Sequence, residues 1–446
     1  MIDVLWGLGG MVVLLGLAVA LSENRKAIRL RTVGAALALQ VAFAVIVLYV
    51  PAGRTVLDAI TRGVQAVIDS SSAGISFLFG PLIPAEGEGL IFALQVLPVI
   101  IFFAALTSVL YHWRILQKVV GWLGTGLRWV LGTSRAESVN AATNIFLGQS
   151  ESPLVIRPFI ARVSRSSLFA IMVGGLATVA GSVLVGYALL GADLDSLIAA
   201  AFMAAPGALL MAKIVVPESE EVDADGVPVA STDPADTEAL EEAEAQAQEE
   251  VRHVNVIDAA AAGAADGLKL AANIGAMLLA FISLIALINL ILGTVAGWFG
   301  VESLTFEQIL GWIFAPIMFV IGVPWDEAVR AGSFVGQKTV VNEFVAFSNF
   351  GPVADEFTEK PQAIIPFALT GVANRGPLAR PLDPACAHCL VVRRRQHVAG
   401  RAASWRSALG PGRPDRDRAG RSSDRRSDRP GHGADRGPRR GRSRRR

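Results

Sequence analysis

The sequence predicts an all-α, polytopic membrane fold in which two interrupted helical hairpins occupy corresponding places in two halves of the chain. Three observations carry this. The 446-residue chain is 52% apolar and 18% charged, with a mean hydropathy of +0.49, oilier than a soluble globule of this size. Uncharged runs close to the roughly 20 residues that a helix needs to cross a bilayer core recur along it. Between those runs lie two apolar stretches that carry charge and are broken by proline, too interrupted to cross cleanly and too oily for loops.

The runs fall at residues 4–21, 32–50, 90–113, 166–192, 196–212 and 270–301, which gives six full spans. The first has no basic cluster before it and no small-residue cleavage site after it, so it reads as a retained span rather than a signal peptide. Arg25, Lys26, Arg29 and Arg31 follow the first span, and Arg114, Lys118, Arg128 and Arg135 follow the third, whereas the connection 51–89 holds only Arg54 and Arg62. The Lys/Arg bias therefore makes the first and third connections cytoplasmic and sets the N-terminus on the opposite side.

Residues 135–165 place Glu137, Glu151, Arg157 and Arg162 among apolar side chains, with Pro153 and Pro158 as breaks. Residues 304–350 do the same with Glu307, Asp326, Glu327, Arg330, Lys338 and Glu343, broken at Pro316 and Pro324. Such segments are tolerated as re-entrant hairpins or broken helices only where their backbone is buried in protein or lines a wet cavity. Residues 218–250 hold 13 acids and no basic residue, which predicts a solvated cytoplasmic loop, disordered in its first half and helical near 238–250. Residues 251–269, Ala-rich with Asp258, Asp266 and Lys269, read as an amphipathic interfacial helix ahead of the sixth span.

The two hairpins carry related polar text. Phe-Leu-Gly-Gln at 146–149 runs on to Ser150 and Glu151, and Phe-Val-Gly-Gln at 334–337 runs on to Asn342 and Glu343. Paired interruptions in two halves point to inverted repeats with a binding site near the membrane midplane. Ionisable residues there are costly and face partners or water, which singles out Glu151 and Glu343. A carboxylate accepts two hydrogen bonds from vicinal hydroxyls, and Gln149 and Asn342 offer donors and acceptors suited to a heterocycle or sugar. Gly148 and Gly336 permit a tight hairpin tip, where freed carbonyls suit a small cation. The alternative for all of these is that they staple helices or satisfy broken backbone.

Other chemistry finds little support. His112 and His253 lie at element ends. No nucleophile elbow, phosphate-binding glycine loop or HExxH pattern occurs, so an enzyme is not expected. Cys386, His388 and Cys389 lack the fourth ligand of a structural zinc site, and no disulfide framework exists.

At these residues the chain resembles the concentrative nucleoside transporter family in its bacterial form. The matching stretches are 24–28, 144–160 (NIFLGQSESPLVIRPFI), 174–182 (GGLATVAGS), 255–260, 267–271, 342–347 (NEFVAF) and 370–374, in family order. The resemblance implies a multi-pass symporter of the bacterial inner membrane, a homotrimer that takes up nucleosides on a sodium or proton gradient by an elevator-type movement. It implies no resident cofactor and no nucleic-acid partner. It assigns Gly148, Gln149, Ser150 and Glu151 to the nucleobase with Val183 beside it, and Glu343 and Asn374 to the ribose. It assigns Asn144, Leu147, Thr178 and Val179 to a sodium ion, through side-chain oxygens of Asn144 and Thr178 and carbonyls of the other two. The next family residue at the ribose is a Ser three positions beyond the Asn, and here that position is Pro377. The rival from another class is a receptor or channel-like nucleoside-binding protein without coupled transport.

The chain thus divides into N-terminal spans and scaffold (1–134), first hairpin, broken helix and span (135–217), acidic loop (218–251), interfacial helix and scaffold span (252–303), second hairpin and half of a broken helix (304–374), and a tail (375–446). The tail holds 21 Arg against 6 Asp, while the rest carries 19 Lys+Arg against 33 acids. It lacks Phe, Tyr, Met, Ile, Asn, Lys, Glu and Thr altogether. Six of those eight have AT-rich codons, so this text is what a GC-rich coding strand gives when read out of frame. The competing reading is a disordered Arg-rich tail for nucleic acid or anionic lipid.

Overall fold

A computed structural model describes residues 2–84, 90–147, 152, 156, 160, 163–224, 226, 254–300 and 304–370, all within one unit that spans residues 1–392. Residues 148–151, which the resemblance assigns to the nucleobase, together with Asn374, His253 and the whole Arg-rich tail, lie outside the described residues.

The described elements are helices, and no β-strand occurs among them. In chain order they are α1 (Ile2–Ala20), α2 (Leu30–Tyr49), α3 (Pro51–Phe79), α4 (Phe92–His112), α5 (Ile115–Leu131), α6 (Arg135–Asn144) and α7 (Arg165–Ala177). Then come α8 (Gly181–Leu189), α9 (Leu194–Val215), α10 (Val256–Trp298), α11 (Phe306–Val320), α12 (Trp325–Val340), α13 (Glu343–Phe350) and α14 (Glu359–Thr370). Helices α2, α4, α9 and α10 are long and apolar enough to cross a membrane, and α1 holds a shorter apolar stretch, Leu5–Ala20.

Three expectations change. The run 166–192 is not one helix but two, α7 and α8, parted at residues 178–180, where Thr178 and Ala180 adopt extended backbone. The β-branched pair Thr178-Val179, flanked by Gly174, Gly175 and Gly181, is poor helix text, and hydropathy does not register it. The interfacial helix of 251–269 is no separate element: α10 runs unbroken for 43 residues. Its Ala-rich start is strong helix text, and Gly263 and Gly267, four apart, leave a bare stripe against α4. A Cβ on Gly263 would lie 2.6 Å from Ser108 Cβ, and one on Gly267 would lie 2.7 Å from Ala104 Cβ. The connection 51–89 is largely α3, 29 residues with Pro51 in its first turn and Ile68, Ser71 and Ile75 buried.

The start of the acidic loop also departs from a solvated segment. Glu218 is buried, and the Ala224 and Gly226 carbonyls accept from the Arg135 and Ser164 amides at 3.0 and 2.8 Å. Residues 217–224 and Gly226 therefore lie across the N-termini of α6 and α7, where helices leave amides without internal partners.

Helix α5 buries Leu116, Val120, Gly124 and Leu131 and exposes Trp122 and Trp129, the amphipathic form of an interfacial helix with aromatic anchors. In the second half, α11 and α12 meet at 116° across a short break that ends in Pro324. The chain then turns at Val341-Asn342 into α13. Gly336 is not at this tip. It lies inside α12, where a Cβ would come within 2.6 Å of Leu310 Cβ, so it serves close packing on α11.

The main core joins the two halves. Val99 and Ile100 of α4, Tyr187 of α8, Phe334 of α12, Phe344, Phe347 and Phe350 of α13 and Leu369 of α14 belong to one buried cluster.

Candidate functional site

Of the first-half candidates, Asn144, Leu147, Thr178 and Val179 lie at the break between α7 and α8. Helix α6 begins with a capping box, Ser134 to Glu137, and ends at Asn144, which is fully buried. Its amide faces Gly174 on α7, where a Cβ would sit 3.2 Å from Asn144 Nδ2, so the glycine is what lets the two helices close. The Gly181 amide donates to the Phe146 carbonyl at 3.2 Å, which places residues 144–147 alongside the 178–181 break. Asn144 and Thr178 are thus brought together, with buried Leu147 and half-buried Val179 next to them.

This junction suits a small cation. Neither Asn144 Oδ1 nor Nδ2 finds a hydrogen-bond partner among the described residues, an expensive state for a buried amide. Helix α7 ends at the same place, and a helix C-terminus offers carbonyls and the negative end of the helix dipole. Thr178 Oγ1 donates to the Gly174 carbonyl at 2.7 Å, which leaves its lone pairs available. Together these are neutral oxygen donors, the chemistry that sodium takes.

The second-half residue Glu343 opens α13 and is half-buried, with its carboxylate at the positive end of that helix. Asn342 is the N-cap: its Oδ1 accepts from the Val345 amide at 2.9 Å, so the structural alternative holds for this residue. Gln337 Oε1 accepts from Asn349 Nδ2 at 2.6 Å and ties the two arms of the hairpin.

The halves meet where α8 packs on α13. Tyr187 stacks on Phe347 with ring centroids 4.4 Å apart and stands edge-on to Phe344 at 4.9 Å. A Cβ on Gly186 would lie 3.2 Å from the Phe344 ring. Val183, one turn earlier on α8, is half-buried against the same core. The arrangement therefore sets a junction of neutral oxygens beside a carboxylate and an apolar wall. Among the described residues no group of three metal-ligating side chains occurs.

A second buried network went unread in the sequence. Lys213 Nζ donates to Glu137 Oε1 at 2.7 Å and to Ser166 Oγ at 3.0 Å, and pairs with Glu218 Oε2 at 3.4 Å. Ser164 donates to Glu218 at 2.7 Å, and Ser167 donates to Glu137. These residues join α6, α7 and α9 beside a cavity of about 370 Å³ that Arg29, Arg128 and Asp223 also line. The signal present in the sequence was Lys213, a cation directly after the uncharged run 196–212.

Residues 9–82 match the family described as Na+ dependent nucleoside transporter N-terminus, 93–194 the family described as nucleoside recognition, and 196–404 the Na+ dependent nucleoside transporter C-terminus. The chain is 52% identical to the uncharacterized transporter YutK of Bacillus subtilis, over 84% of this chain and 89% of that protein. It is 43% identical to the nucleoside permease NupC of Helicobacter pylori, over 84% and 87%. Among solved structures, CNTnw in an inward-facing substrate-bound state is 48% identical with a TM-score of 0.76, covering 84% of this chain and 88% of that one. A variant of CNTnw in an outward-facing state is 46% identical with a TM-score of 0.78, covering 90% and 92%. The relatives are transporters, not enzymes. On the matched residues and these identities, the chain belongs to the concentrative nucleoside transporter family.

Proposed function

We propose that the chain takes up nucleosides across the bacterial inner membrane by sodium symport, with an elevator-type movement in a homotrimer. The observation that carries the coupling is the buried Asn144 amide without a described partner, set against the end of α7 and Thr178. An amide oxygen ligates sodium but does not take up a proton near neutral pH, so the junction favours sodium over proton coupling. Leu147 and Val179 contribute carbonyls in this reading. Glu343 and Asn374 take the ribose hydroxyls, and residues 148–151 with Val183 take the base. The alternating movement is supported by the similarity to CNTnw structures in inward-facing, intermediate and outward-facing states.

The tail is read as the product of a frame shift at or just after codon 374. What supports the reading is composition: residues 375–446 hold 21 Arg and none of Phe, Tyr, Met, Ile, Asn, Lys, Glu or Thr. A single-base change between codons 365 and 390 is expected to restore an apolar span and a Ser at position 377. A gene in which no such change does so refutes the reading.

The test of function is accumulation of labelled uridine in energised vesicles that carry the frame-restored protein. An inward sodium gradient is expected to drive uridine above equilibrium. Accumulation on a proton gradient alone overturns sodium coupling, and equilibration without accumulation favours the channel-like alternative.

A further inference from the structure

Asn140 stands one turn before Asn144 on α6, and residues four apart share a helix face. It is 1% exposed, and Asn144 is fully buried. Both amides face α7 at Gly174. A Cβ on that glycine would lie 3.1 Å from Asn140 Nδ2 and 3.2 Å from Asn144 Nδ2, so one bare position on α7 accommodates both side chains. Asn140 is anchored at one corner only. Its Nδ2 donates to the Ile171 carbonyl of α7 at 3.3 Å, which leaves Oδ1 as the free end, without a partner among the described residues. Asn144 has no partner at either Oδ1 or Nδ2. The adjacent hydroxyls do not fill the need, because each gives its proton to a helix carbonyl: Thr143 to Val139 at 2.7 Å and Thr178 to Gly174 at 2.7 Å. Two neighbouring buried amides thus leave three polar atoms unsatisfied, a state that buried polar groups seldom keep. Asn140 is not among the residues assigned to substrate or sodium above.

We propose that Asn140 is a positioning residue for the coupling ion: its Oδ1 accepts from Asn144 Nδ2 and so turns Asn144 Oδ1 toward the break between α7 and α8. The inference rests on the reading of Asn144 as a sodium ligand. A carboxamide carries an acceptor at one corner and a donor at the other, and its last torsion is broad, so packing alone does not choose which corner meets a cation. The wrong choice sets an N–H group against positive charge. Here the Ile171 carbonyl fixes the sense of Asn140, and Asn140 fixes the sense of Asn144. One arrangement then gives all three unsatisfied atoms a partner, with the ion taken by Asn144 Oδ1. Gly174 leaves room for the turn, which a Cβ so close to both nitrogens would obstruct.

Every residue involved lies between positions 140 and 178, ahead of the Arg-rich tail, so the full 446-residue chain serves as it stands. Thermal midpoints in detergent, without nucleoside, are titrated with sodium chloride against potassium chloride of equal ionic strength. Wild type is expected to gain a sodium-specific rise, because an ion that binds only the folded chain stabilises it. N144A is expected to lose that rise. N140A is expected to need about tenfold more sodium for half of it, the worth of a hydrogen bond to a charged group. A merely structural Asn140 would lower the midpoint equally at every sodium concentration, and an unchanged half-maximal sodium in N140A overturns the proposal. N140D keeps an acceptor at the same place and is expected to keep the sodium response; a response as weak as that of N140A overturns the acceptor role. N140L, which fills the site, carries the titration should N140A not fold, and an unchanged half-maximal sodium there has the same force. A sodium-specific rise retained in N144A, or absent from wild type, overturns the sodium reading itself. The pairing is then still decided in potassium chloride, where N140A, N144A and the double variant form a cycle. Bonded amides are expected to give a double-variant shift smaller than the sum of the single shifts, and additive shifts overturn the bond.

Discussion

Asn144 separates a coupling role from a packing role most cleanly. If its amide ligates sodium, Asn144→Ala raises the sodium concentration for half-maximal uridine uptake by about tenfold or more, the worth of a hydrogen bond to a charged group. A residue that only packed would change expression and leave the sodium dependence in place, so a sodium titration of uptake decides the matter. Glu343→Gln is expected to raise the uridine concentration for half-maximal uptake by at least about tenfold, because an amide cannot accept a diol at both oxygens. Lys213 carries a different expectation. Cutting it to Met strands Glu137, which is 1% exposed, and a broken buried ion pair costs about 3–5 kcal/mol, to be read as a lowered thermal midpoint in detergent. Asn144, Thr178 and Glu343 could be singled out as candidates because their text is local and matches a known pattern. Lys213 was not, since its partner Glu137 is 76 positions away and nothing in either neighbourhood names the other.

Among the elements, hydropathy found where apolar helix lies but not where it stops or continues. It joined α7 to α8 because Thr178 and Val179 are neutral, and it divided α10 because Asp258, Asp266 and Lys269 looked like the mark of a different environment. The break before α8 is a matter of backbone conformation, and the continuity of α10 is a matter of contact with α4. Neither is a property of polarity. The contact gives a direct prediction: Gly267→Leu drives a large side chain into Ala104 and the Ile101 backbone and is expected to cost about 1–3 kcal/mol. Gly293→Leu on the same helix, with nothing within 4 Å of a new Cβ, is the matched control and is expected to leave the midpoint close to wild type.

For the whole molecule, composition fixed the class and the motif order pointed to the family, while the organisation around the second hairpin came only with the structure. Gly336 shows why: four residues of shared text with 146–149 suggested a tip, but packing against α11 decided its place inside α12. As written, the chain is expected to accumulate no uridine, because the Arg-rich text begins inside the proposed ribose site. Uptake equal to that of a frame-restored version refutes this. The length of α10 has a separate consequence, in the fit between protein and lipid. From residue 270 to Trp298 it offers about 43 Å of uncharged helix, at ~1.5 Å per residue, against a hydrocarbon core of roughly 30 Å. Such an excess is taken up by tilt or by local thickening of the bilayer. Clamped along α4, the helix transmits any tilt to its neighbour, so lipid thickness becomes a variable that acts on this pair of helices together.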